Sequence, residues 1–478
     1  MVLDQQMTHD AVLPHVPKAL DSSVMKSLFQ DTMFEKTGAE NPIRIRDCEI
    51  LHIRYKRGRY CLVLYKLTMA NLAHQDLGEQ MVCARMFHTG ESHAKFLAAQ
   101  LKPQINPTFG RPLFHLPACE MVIWAFPNDR KLSSLASFTN HPQLQGQILP
   151  RVLEMEHGPG WDIHHLTNDI VHYVPEHTCM FRMSLRISHK ESRETRDVTL
   201  YGKTYSNEIG AETYQFMQQL WNSEARRKND LLIPQPLWYD HSLQTLWQSS
   251  LHGSPLTHYS LQHEHMNTWL TQAGKAVATL HQIPLRGLKR IHTRDALAKL
   301  EEATQHLSGI RASCGPALNH LVDELTRQVK DLTPQPQVTL HGDLHRKNLF
   351  LQGETIGLID LDSLGEGSAL HDIGSFVASL YYRIVISEIP ESAAKELITS
   401  FVDSYHAHSP WFIPSPDLAW YVAMSLITEQ ARRCGTTFKA DRLEAIDDLL
   451  EYARTIITCQ NDTIDTKQTT GTSVTVKG

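Results

Sequence analysis

Two histidines, an aspartate, two cations and an asparagine crowd into one eight-residue loop, HGDLHRKN (341–348). The apolar triplets VTL (338–340) and LFL (349–351) flank this loop, and both have the composition of short strands. A third apolar run, IGLID (356–360), ends in the carboxylate of Asp360. Side chains at the ends of such strands converge, so the sequence predicts one polar site built from the loop and this third run.

The residue types in this site suit a magnesium ion and proton transfer. Mg²⁺ takes octahedral oxygen ligands, few of them from protein, and the amide of Asn348 and the carboxylate of Asp360 meet that demand. Asp343 follows a glycine in a tight turn and can accept or orient the proton of an attacking hydroxyl group. Asp343 or Asn348 taken alone could equally well close a turn. The full set favours chemistry.

The motif also resembles a known family. HGDLHRKN, then IDLD (359–362), then GEGSALHDIGSF (365–376), resembles the catalytic segment of the aminoglycoside phosphotransferase and choline kinase-like family, relatives of the protein kinases. The resemblance covers about residues 165–455. It implies that Asp343 is the catalytic base and that Asn348 and Asp360 bind Mg²⁺.

Neighbouring polar residues have less certain roles. Asp362 is either a second metal ligand or a solvated carboxylate at a strand end. His341 and His345 are expected to pack and hydrogen-bond the loop. Asp372 is placed as a helix N-cap, and the resemblance also gives it the structural role of bracing the catalytic loop. With Asp362, Glu366 would suit a cationic or polyhydroxy acceptor.

A nucleotide-binding lysine is expected upstream of the loop. VTLYGKTYSNEIGAETYQFMQQLW (198–221) has the pattern of a strand carrying Lys203, followed by a helix through Glu212. The resemblance implies that Lys203 contacts the α- and β-phosphates of ATP, or of GTP, and pairs with a helix glutamate. Glu208 competes with Glu212 for that role.

The segment LQTLWQSSLHGSPL (243–256) resembles the hinge of this family. Backbone groups from Gln248 to Ser250 would then bind the adenine edge. One feature departs from the protein kinases, because VPEHT (174–178) stands between the hairpin strands in place of a glycine-rich phosphate loop. The DFG and APE landmarks of protein kinases are also missing, which favours a small-molecule kinase.

The predicted fold class is α+β: a protein-kinase-like two-lobe fold, with a β-rich N-lobe and a helical C-lobe, preceded by an extra β-rich domain. The predicted divisions are an N-terminal extension (1–40), the extra β-rich domain (41–155), the kinase-like N-lobe (160–255), the helical C-lobe with the catalytic loop (256–460) and a disordered tail (461–478).

Composition limits the partners of the chain. A net charge of −6 over 478 residues shows no basic excess, so neither nucleic acid nor an acidic membrane is an expected partner. The eight cysteines are scattered, which is typical of reduced thiols in a cytoplasmic protein. The N-terminal residues have no signal-peptide pattern, and no apolar run approaches the ~18 residues of a membrane span. We therefore expect a cytoplasmic protein, while its oligomeric state stays open.

The extra β-rich domain is either a degenerate copy of the N-lobe or an unrelated extension. A constant shift of 118 residues aligns the two regions, and a few inserted residues extend the alignment to their last strands. Arg85 would then replace Lys203 and alanine would replace Glu212, so the copy would be catalytically silent. The aligned pairs are Tyr55 with Tyr173, Cys61 with Cys179, Arg85 with Lys203, Ala94 with Glu212, and Trp124 with Trp247.

The most direct functional hypothesis is an ATP- and Mg²⁺-dependent phosphotransferase acting on a hydroxyl of a small molecule, such as a sugar, an amino alcohol or an aminoglycoside-like acceptor. Two alternatives remain: a nucleotide-binding pseudokinase or scaffold, and a kinase that phosphorylates a protein side chain. The acceptor pocket lies in helices without a readable motif, so the sequence does not identify the acceptor.

Overall fold

The structure, a computed structural model, describes residues 10–34, 42–437 and 440–468. Two compact units divide these residues. The β-rich unit contains residues 10–215 and 235–250, and the helical unit contains residues 216–234 and the chain from 251 onward. Among the described residues, no helix combines the length and the apolar character needed to cross a lipid bilayer.

The β-rich unit begins with helices and an antiparallel sheet of five strands, here called the first sheet. Its strand order is β1-β2-β3-β5-β4. Residues 61–65 of its long second strand are all buried, so both faces of that strand are covered there. The strands are β1 (Ile43–Lys56), β2 (Tyr60–Asn71), β3 (Asp76–Met86), β4 (Leu113–Leu116) and β5 (Met121–Ala125), and the helices are α1 (Val16–Ala19), α2 (Ser22–Thr32) and α3 (Ser92–Gln100).

A second sheet of five antiparallel strands follows in the same unit. Its order, β6-β7-β8-β10-β9, repeats that of the first sheet. A helix follows the third strand of each sheet: α3 follows β3, and α7 follows β8. The strands are β6 (Trp161–Val174), β7 (Thr178–His189), β8 (Thr195–Tyr205), β9 (Pro236–Asp240) and β10 (Thr245–Ser249), and the helices are α4 (Leu135–Thr139), α5 (His141–Gln143), α6 (Leu149–His157) and α7 (Ile209–Trp221), with a π-helical turn at Leu144–Ile148. The last residues of α7 and the short helix α8 (Glu224–Arg227) belong to the helical unit.

The two sheets agree in local detail as well as in strand order. A bulge interrupts the first strand pair at Ile45/Asp47 and again, 118 residues later, at Ile163/His165. The hairpin turn that follows has a left-handed residue at the same place in each sheet, Gly58 (φ 65°) and Glu176 (φ 61°).

The last strands follow a different shift from the predicted one. Arg85 pairs with Val122 in the first sheet, and its counterpart Lys203 pairs with Leu246 in the second. The fifth strands are therefore 124 residues apart. By this register Trp247 matches Ile123 rather than Trp124, and the predicted Trp124–Trp247 alignment is wrong by one residue. Strand pairing fixes this register, and the sequence alone did not reveal it.

One hydrophobic core joins the two sheets. The first sheet contributes Leu62 and Leu64, on the face that carries Arg85, since Arg85 pairs directly with Leu62. The second sheet contributes Phe181 and Trp247, on the face opposite Lys203. Phe138 of α4 lies between them, with ring centroids 4.1 Å from Phe181 and 5.8 Å from Trp247.

The second unit is mainly helical, with short strands that hold the polar loop. The final helix runs to Gln468, so it includes the start of the segment 461–478 for which the sequence predicts disorder, and residues 469–478 lie outside the described chain. The helices are α9 (Met266–His281), α10 (Thr293–Ile310), α11 (Gly315–Gln328), α12 (Leu370–Val385), α13 (Glu391–His408), α14 (Ser415–Ser425), α15 (Arg432–Thr437) and α16 (Ala440–Gln468), and the strands are β11 (Ser254–Pro255), β12 (Gln337–Leu340), β13 (Leu349–Gln352), β14 (Thr355–Leu358) and β15 (Gly365–Ser368).

Seven cysteines whose side chains the structure describes are buried thiols, and they lie in both units. They are Cys48, Cys61, Cys83, Cys119, Cys179, Cys314 and Cys434. Burial raises the pKa of the Cys61 thiol to about 12, so the reactive thiolate does not form there at neutral pH. These cysteines therefore act as small apolar core residues.

Candidate active site

The strands predicted around the polar loop are present. β12 leads into residues 341–348, and β13 leads out of them and pairs with β14. β12 pairs instead with β15. The loop is therefore held at both ends by strand pairing, and the end of β14 brings Asp360 beside it.

Asp372 braces the start of the loop from α12. Its carboxylate accepts hydrogen bonds from the backbone N–H of His341 (2.6 Å) and of Gly342 (2.9 Å). It also lies 3.0 Å from Nε2 of His281, and Nδ1 of His281 lies 2.8 Å from the hydroxyl of Tyr405. Asp372 is 1% exposed. The N-cap of α12 is Ala369, so Asp372 braces the loop from the first helical turn and is not an N-cap.

The pKa of Asp372 shows that this brace is anionic. Burial alone would raise the pKa of the carboxyl, but the hydrogen bond from His281, the charges of His281 and His341 and the Gly342 N–H together lower it. An ionised carboxylate accepts stronger hydrogen bonds than a neutral one. The loop is thus fastened by charge-assisted bonds to its first two residues.

Gly342 provides the sharp turn that presents Asp343. Its φ is +78°, in the left-handed region that side chains disfavour. A Cβ atom at this position would lie 2.0 Å from the carbonyl oxygen of Ser363. No other residue fits, because the backbone of the 361–363 turn occupies the space.

Asp343 directs a carboxylate to solvent next to this turn. Its side chain is 52% exposed, and Oδ2 lies 3.5 Å from Nε2 of His345. Desolvation by neighbouring groups raises the pKa of Asp343, but the contact with His345 and the charges of His341 and Arg433 outweigh it and lower the pKa below its usual value. The carboxylate is therefore ionised at neutral pH and can accept a hydrogen bond from a hydroxyl group.

Asn348 and Asp360 are connected to Asp343 through the backbone. The side-chain amide nitrogen of buried Asn348 donates to the carbonyl oxygen of Asp343 (2.9 Å), which leaves its amide oxygen as the group available to a cation. The N–H of Ile359 donates to the carbonyl of Asn348 (3.1 Å), and Nε2 of His341 lies 3.0 Å from the carbonyl of Ile359. Asp360 follows with φ +59°. These oxygen donors fit a divalent metal ion such as Mg²⁺.

Two carboxylates considered for the acceptor have different surroundings. Asp362 lies on the 3₁₀ turn Leu361–Ser363 directly after Asp360. Glu366 lies on β15, and its Oε2 is 3.1 Å from Nε of Arg290, so its charge is already balanced within the protein. Both therefore stay candidates for contact with metal or acceptor.

The sequence did not reveal Glu429. It lies on the π-helical turn Leu426–Ala431, which continues directly from α14, and its Oε2 accepts a hydrogen bond from Ser375 of α12 (2.6 Å). Desolvation by the surrounding protein and the negative charge of Asp343 raise the pKa of Glu429. π-helical turns often mark functional sites, but this one has no sequence signature that would have predicted it.

The predicted nucleotide-binding residues lie in the β-rich unit. Lys203 is on β8, between Met180 of β7 and Leu246 of β10. Gln248 lies two residues further along β10, and Ser250 directly follows that strand. Glu212 is in the first turn of α7 and is exposed.

Glu208 competed with Glu212 as the partner of Lys203. Its carboxylate accepts a hydrogen bond from Nε2 of Gln244 (3.2 Å) and it precedes α7. Glu208 is therefore already engaged at the end of the second sheet, and Glu212 remains the candidate.

Comparisons with known proteins agree with the family resemblance. A family model described as "Phosphotransferase enzyme family" (APH) matches residues 198–411. The matched residues contain the HGDLHRKN loop, Asp360 and Asp372. No curated protein sequence matches the chain.

Several solved structures are similar in part. One is a thermostable mutant of an aminoglycoside phosphotransferase in a ternary complex with ADP and hygromycin B (13% identity, 65% of this chain, 97% of that chain, TM-score 0.44). A second is spectinomycin phosphotransferase in complex with ADP and spectinomycin (15% identity, 65% of this chain, 98% of that chain, TM-score 0.42). A third is choline kinase from Cryptosporidium parvum Iowa II (12% identity, 63% of this chain, 91% of that chain, TM-score 0.42).

Proposed function

We propose that this chain transfers the γ-phosphoryl group of ATP or GTP to a hydroxyl group of a small molecule. The match of residues 198–411 to the model of the phosphotransferase enzyme family supports this proposal. The observation that carries this proposal is the set of Asp343, Asn348 and Asp360. Hydrogen bonds connect Asn348 to Asp343 and to the residue before Asp360, and buried Asp372 holds the start of the loop. A turn-closing role would not require an anionic brace beneath the loop.

In the proposed mechanism Asp343 acts on the acceptor. Its exposed and ionised carboxylate accepts a hydrogen bond from the attacking hydroxyl group and orients the oxygen. It takes the proton as that oxygen bonds to the γ-phosphorus, while the bond from this phosphorus to the β-phosphate oxygen breaks and ADP or GDP leaves. His345 keeps this carboxylate in place and anionic. The rigid turn at Gly342 fixes the direction of attack.

The phosphate groups need positive charge and fixed positions. Asn348 and Asp360 would hold a divalent cation, which when bound neutralises charge on phosphate oxygens. On the second sheet, Lys203 would contact the α- and β-phosphates, with Glu212 setting the direction of its side chain. Backbone groups from Gln248 to Ser250 would bind the edge of the purine.

The acceptor class is a sugar, an amino alcohol or an aminoglycoside-like molecule. Asp362 and Glu429 are the carboxylates that would bind its amino or hydroxyl groups. A screen of the purified full-length protein with labelled ATP and GTP, with and without Mg²⁺, tests this against these acceptor classes and against total protein.

Mg²⁺-dependent labelling of a small molecule, lost in Asp343→Asn, is the expected result. Labelling of protein alone would favour a protein kinase. Nucleotide binding without labelling of any acceptor would favour a pseudokinase or scaffold.

A further inference from the structure

One hydrogen-bonding device occurs twice in the β-rich unit. The carboxylate of Asp10 accepts hydrogen bonds from the hydroxyl of Tyr55 (2.7 Å) and the N–H of Gly58 (2.8 Å), in the hairpin turn of the first sheet. The carboxylate of Asp129 accepts them from the hydroxyl of Tyr173 (2.7 Å) and the N–H of Glu176 (2.9 Å), in the turn of the second.

Each aspartate also closes its own loop in the same way. Asp10 accepts from the N–H groups two and three residues later, those of Val12 and Leu13 (3.0 and 3.2 Å). Asp129 accepts from those of Lys131 and Leu132 (2.6 and 2.9 Å). The duplicated unit thus begins at Asp10 and at Asp129. Asp10 precedes the predicted extra domain (41–155), and Asp129 lies within that predicted domain, ahead of the predicted N-lobe (160–255). Residues 10–128 are here called the first repeat, and residues 129–250 the second repeat.

The repeats differ at the turn itself. The left-handed position is Gly58 in the first repeat and Glu176 in the second, although a glycine is the residue that this conformation favours. The Glu176 side chain is 5% exposed and lies 2.8 Å from Arg85 and 2.6 Å from Arg130. Burial raises the pKa of Glu176, but the hydrogen bond from Arg130 and the charges of both arginines outweigh it, so the carboxylate is anionic.

Arg85 is the first-repeat counterpart of Lys203. Each stands on the third strand of its sheet and pairs with the second and fifth strands at equivalent residues. In the first repeat this cation therefore does not point at a nucleotide; it contacts the turn of the second repeat.

In the first repeat, the position that matches the predicted hinge is hydrogen-bonded internally. By the register of the fifth strands, Phe126 is the counterpart of Ser250. The N–H of Phe126 donates to the carbonyl of Met81 (2.9 Å), and its carbonyl accepts from the side-chain amide of Gln80 (2.8 Å). The backbone N–H and carbonyl of Phe126 are thus both hydrogen-bonded within the first repeat, so they are not available to bind a purine.

We infer that the first repeat is a brace for nucleotide binding and that Arg85 is its positioning residue, holding Glu176 and the turn 174–178 in place beside Lys203. The turn lies next to that lysine, because Thr178 pairs with Tyr205 and Met180 with Lys203. The inference rests on the proposed function. It explains how a turn without a glycine-rich sequence serves a nucleotide: the turn is held rigid, and its carboxylate is neutralised before a triphosphate approaches.

Loss of Arg85 would have two effects on nucleotide binding. The turn would loosen, so binding would have to order it again. Glu176 would also keep only one of its two cations and would repel the phosphate groups. Both effects act on the nucleotide and neither acts on the acceptor.

The test uses Arg85→Met in the full-length protein. Methionine preserves packing on Tyr60, whose ring centroid lies 4.7 Å from the guanidinium, and removes the charge. The control is Lys66→Met, a strand lysine whose ammonium pairs with Glu49 and Glu79 of its own sheet (3.0 and 3.4 Å). Calorimetric titration with ATP and ADP, steady-state kinetics and amide hydrogen exchange at 174–178 are measured for each.

Arg85→Met is expected to raise the Kd and KM for nucleotide about tenfold, with the acceptor KM and kcat within about twofold of wild type. Exchange at the turn should quicken, Arg85→Lys should restore part of the affinity, and Lys66→Met should change nothing. A folded Arg85→Met protein with wild-type nucleotide Kd and turn exchange overturns the inference.

If Arg85→Met does not fold, Glu176→Gln decides. It should quicken exchange at the turn and weaken nucleotide binding less, because it leaves no unpaired carboxylate; wild-type values for both overturn the inference. A wild-type protein that binds no nucleoside triphosphate at all overturns the proposed function itself. Normal binding by both wild type and variant contradicts only the role of Arg85.

Discussion

The first and second sheets have the same strand order and share a bulge, and their hairpin turns are held by equivalent aspartates, yet only the second carries residues proposed to bind a nucleotide. The second sheet carries Lys203 and leads on to the HGDLHRKN loop. In the first sheet, Arg85 forms an ion pair with Glu176, and the backbone groups of Phe126 are hydrogen-bonded within the first repeat. A shared fold therefore does not indicate a shared function, because function depends on a few side chains and on the segment of chain that comes after the sheet.

The largest expected effect concerns the HGDLHRKN loop, which follows the second repeat along the chain. It tests whether this loop carries the chemistry. Asp343→Asn should lower kcat by at least about a hundredfold, because the amide cannot accept the proton of the hydroxyl group. Nucleotide Kd and thermal unfolding should stay near wild type. Turnover close to wild type would mean that the base has been assigned to the wrong residue.

The next prediction separates the two aspartates at the end of β14. Asp360→Ala should abolish Mg²⁺-dependent nucleotide binding or turnover, because a carboxylate ligand is lost. Asp362→Ala should have a weaker effect. Titration of activity with Mg²⁺ measures both, and equal, mild losses would show that the metal site lies elsewhere.

A third prediction tests the difference between the cations of the two third strands. Lys203→Met should raise the nucleotide KM about tenfold or more, because a charged hydrogen bond to phosphate is lost. Its effect on kcat should exceed that of Arg85→Met, since Arg85 acts only through the turn. Identical kinetic profiles for the two variants would contradict the distinction between them.

The fourth prediction uses the repeated aspartates as a matched pair. Asp10→Asn and Asp129→Asn should each lower the free energy of unfolding by about 1 kcal/mol, because each weakens equivalent hydrogen bonds. Only Asp129→Asn should also weaken nucleotide binding, since only its turn lies beside Lys203. Chemical denaturation and ATP titration of both variants measure this, and equal nucleotide affinities would contradict it.

The smallest expected effect concerns pH. The folded state lowers the pKa of Glu176, so its contribution to stability is present above its unfolded pKa of about 4.5 and is lost as the pH falls through the lower, folded pKa. Glu176→Gln should therefore lower stability at neutral pH and flatten the loss of stability in acid. Denaturation at several pH values between 3 and 7 measures this, and parallel curves for the two proteins would show that Glu176 is not held as an anion.

The catalytic loop was predictable because its information is local. Gly342, Asp343 and Asn348 stand within one short segment between apolar triplets, and a turn with such flanks has few conformations. The three predicted strands are present, and the shift of 118 residues matches the first of the two bulges in the first strand pair of each sheet. The roles of Asp343, Lys203 and the other proposed site residues remain predictions.

Long-range pairing was not predictable in the same way. The fifth strands are displaced by 124 residues because the connections within each repeat differ in length, and sequence spacing does not show which strand residues face each other. The start of the repeat at Asp10 was also hidden, since a single aspartate near a chain end resembles many others. Only its bonds to Tyr55 and Gly58 distinguish it.

A magnesium site and a proton acceptor could be predicted from the residue types of HGDLHRKN and Asp360. The resemblance of these motifs to a known family implied phosphoryl transfer. The roles of the remaining polar residues depend on the folded chain. Arg85 and Glu176 are 91 positions apart, and nothing in either segment indicates an ion pair. Folding buries most of both side chains between the two repeats. A buried charge is stable only beside an opposite charge, so the pairing depends on the tertiary structure.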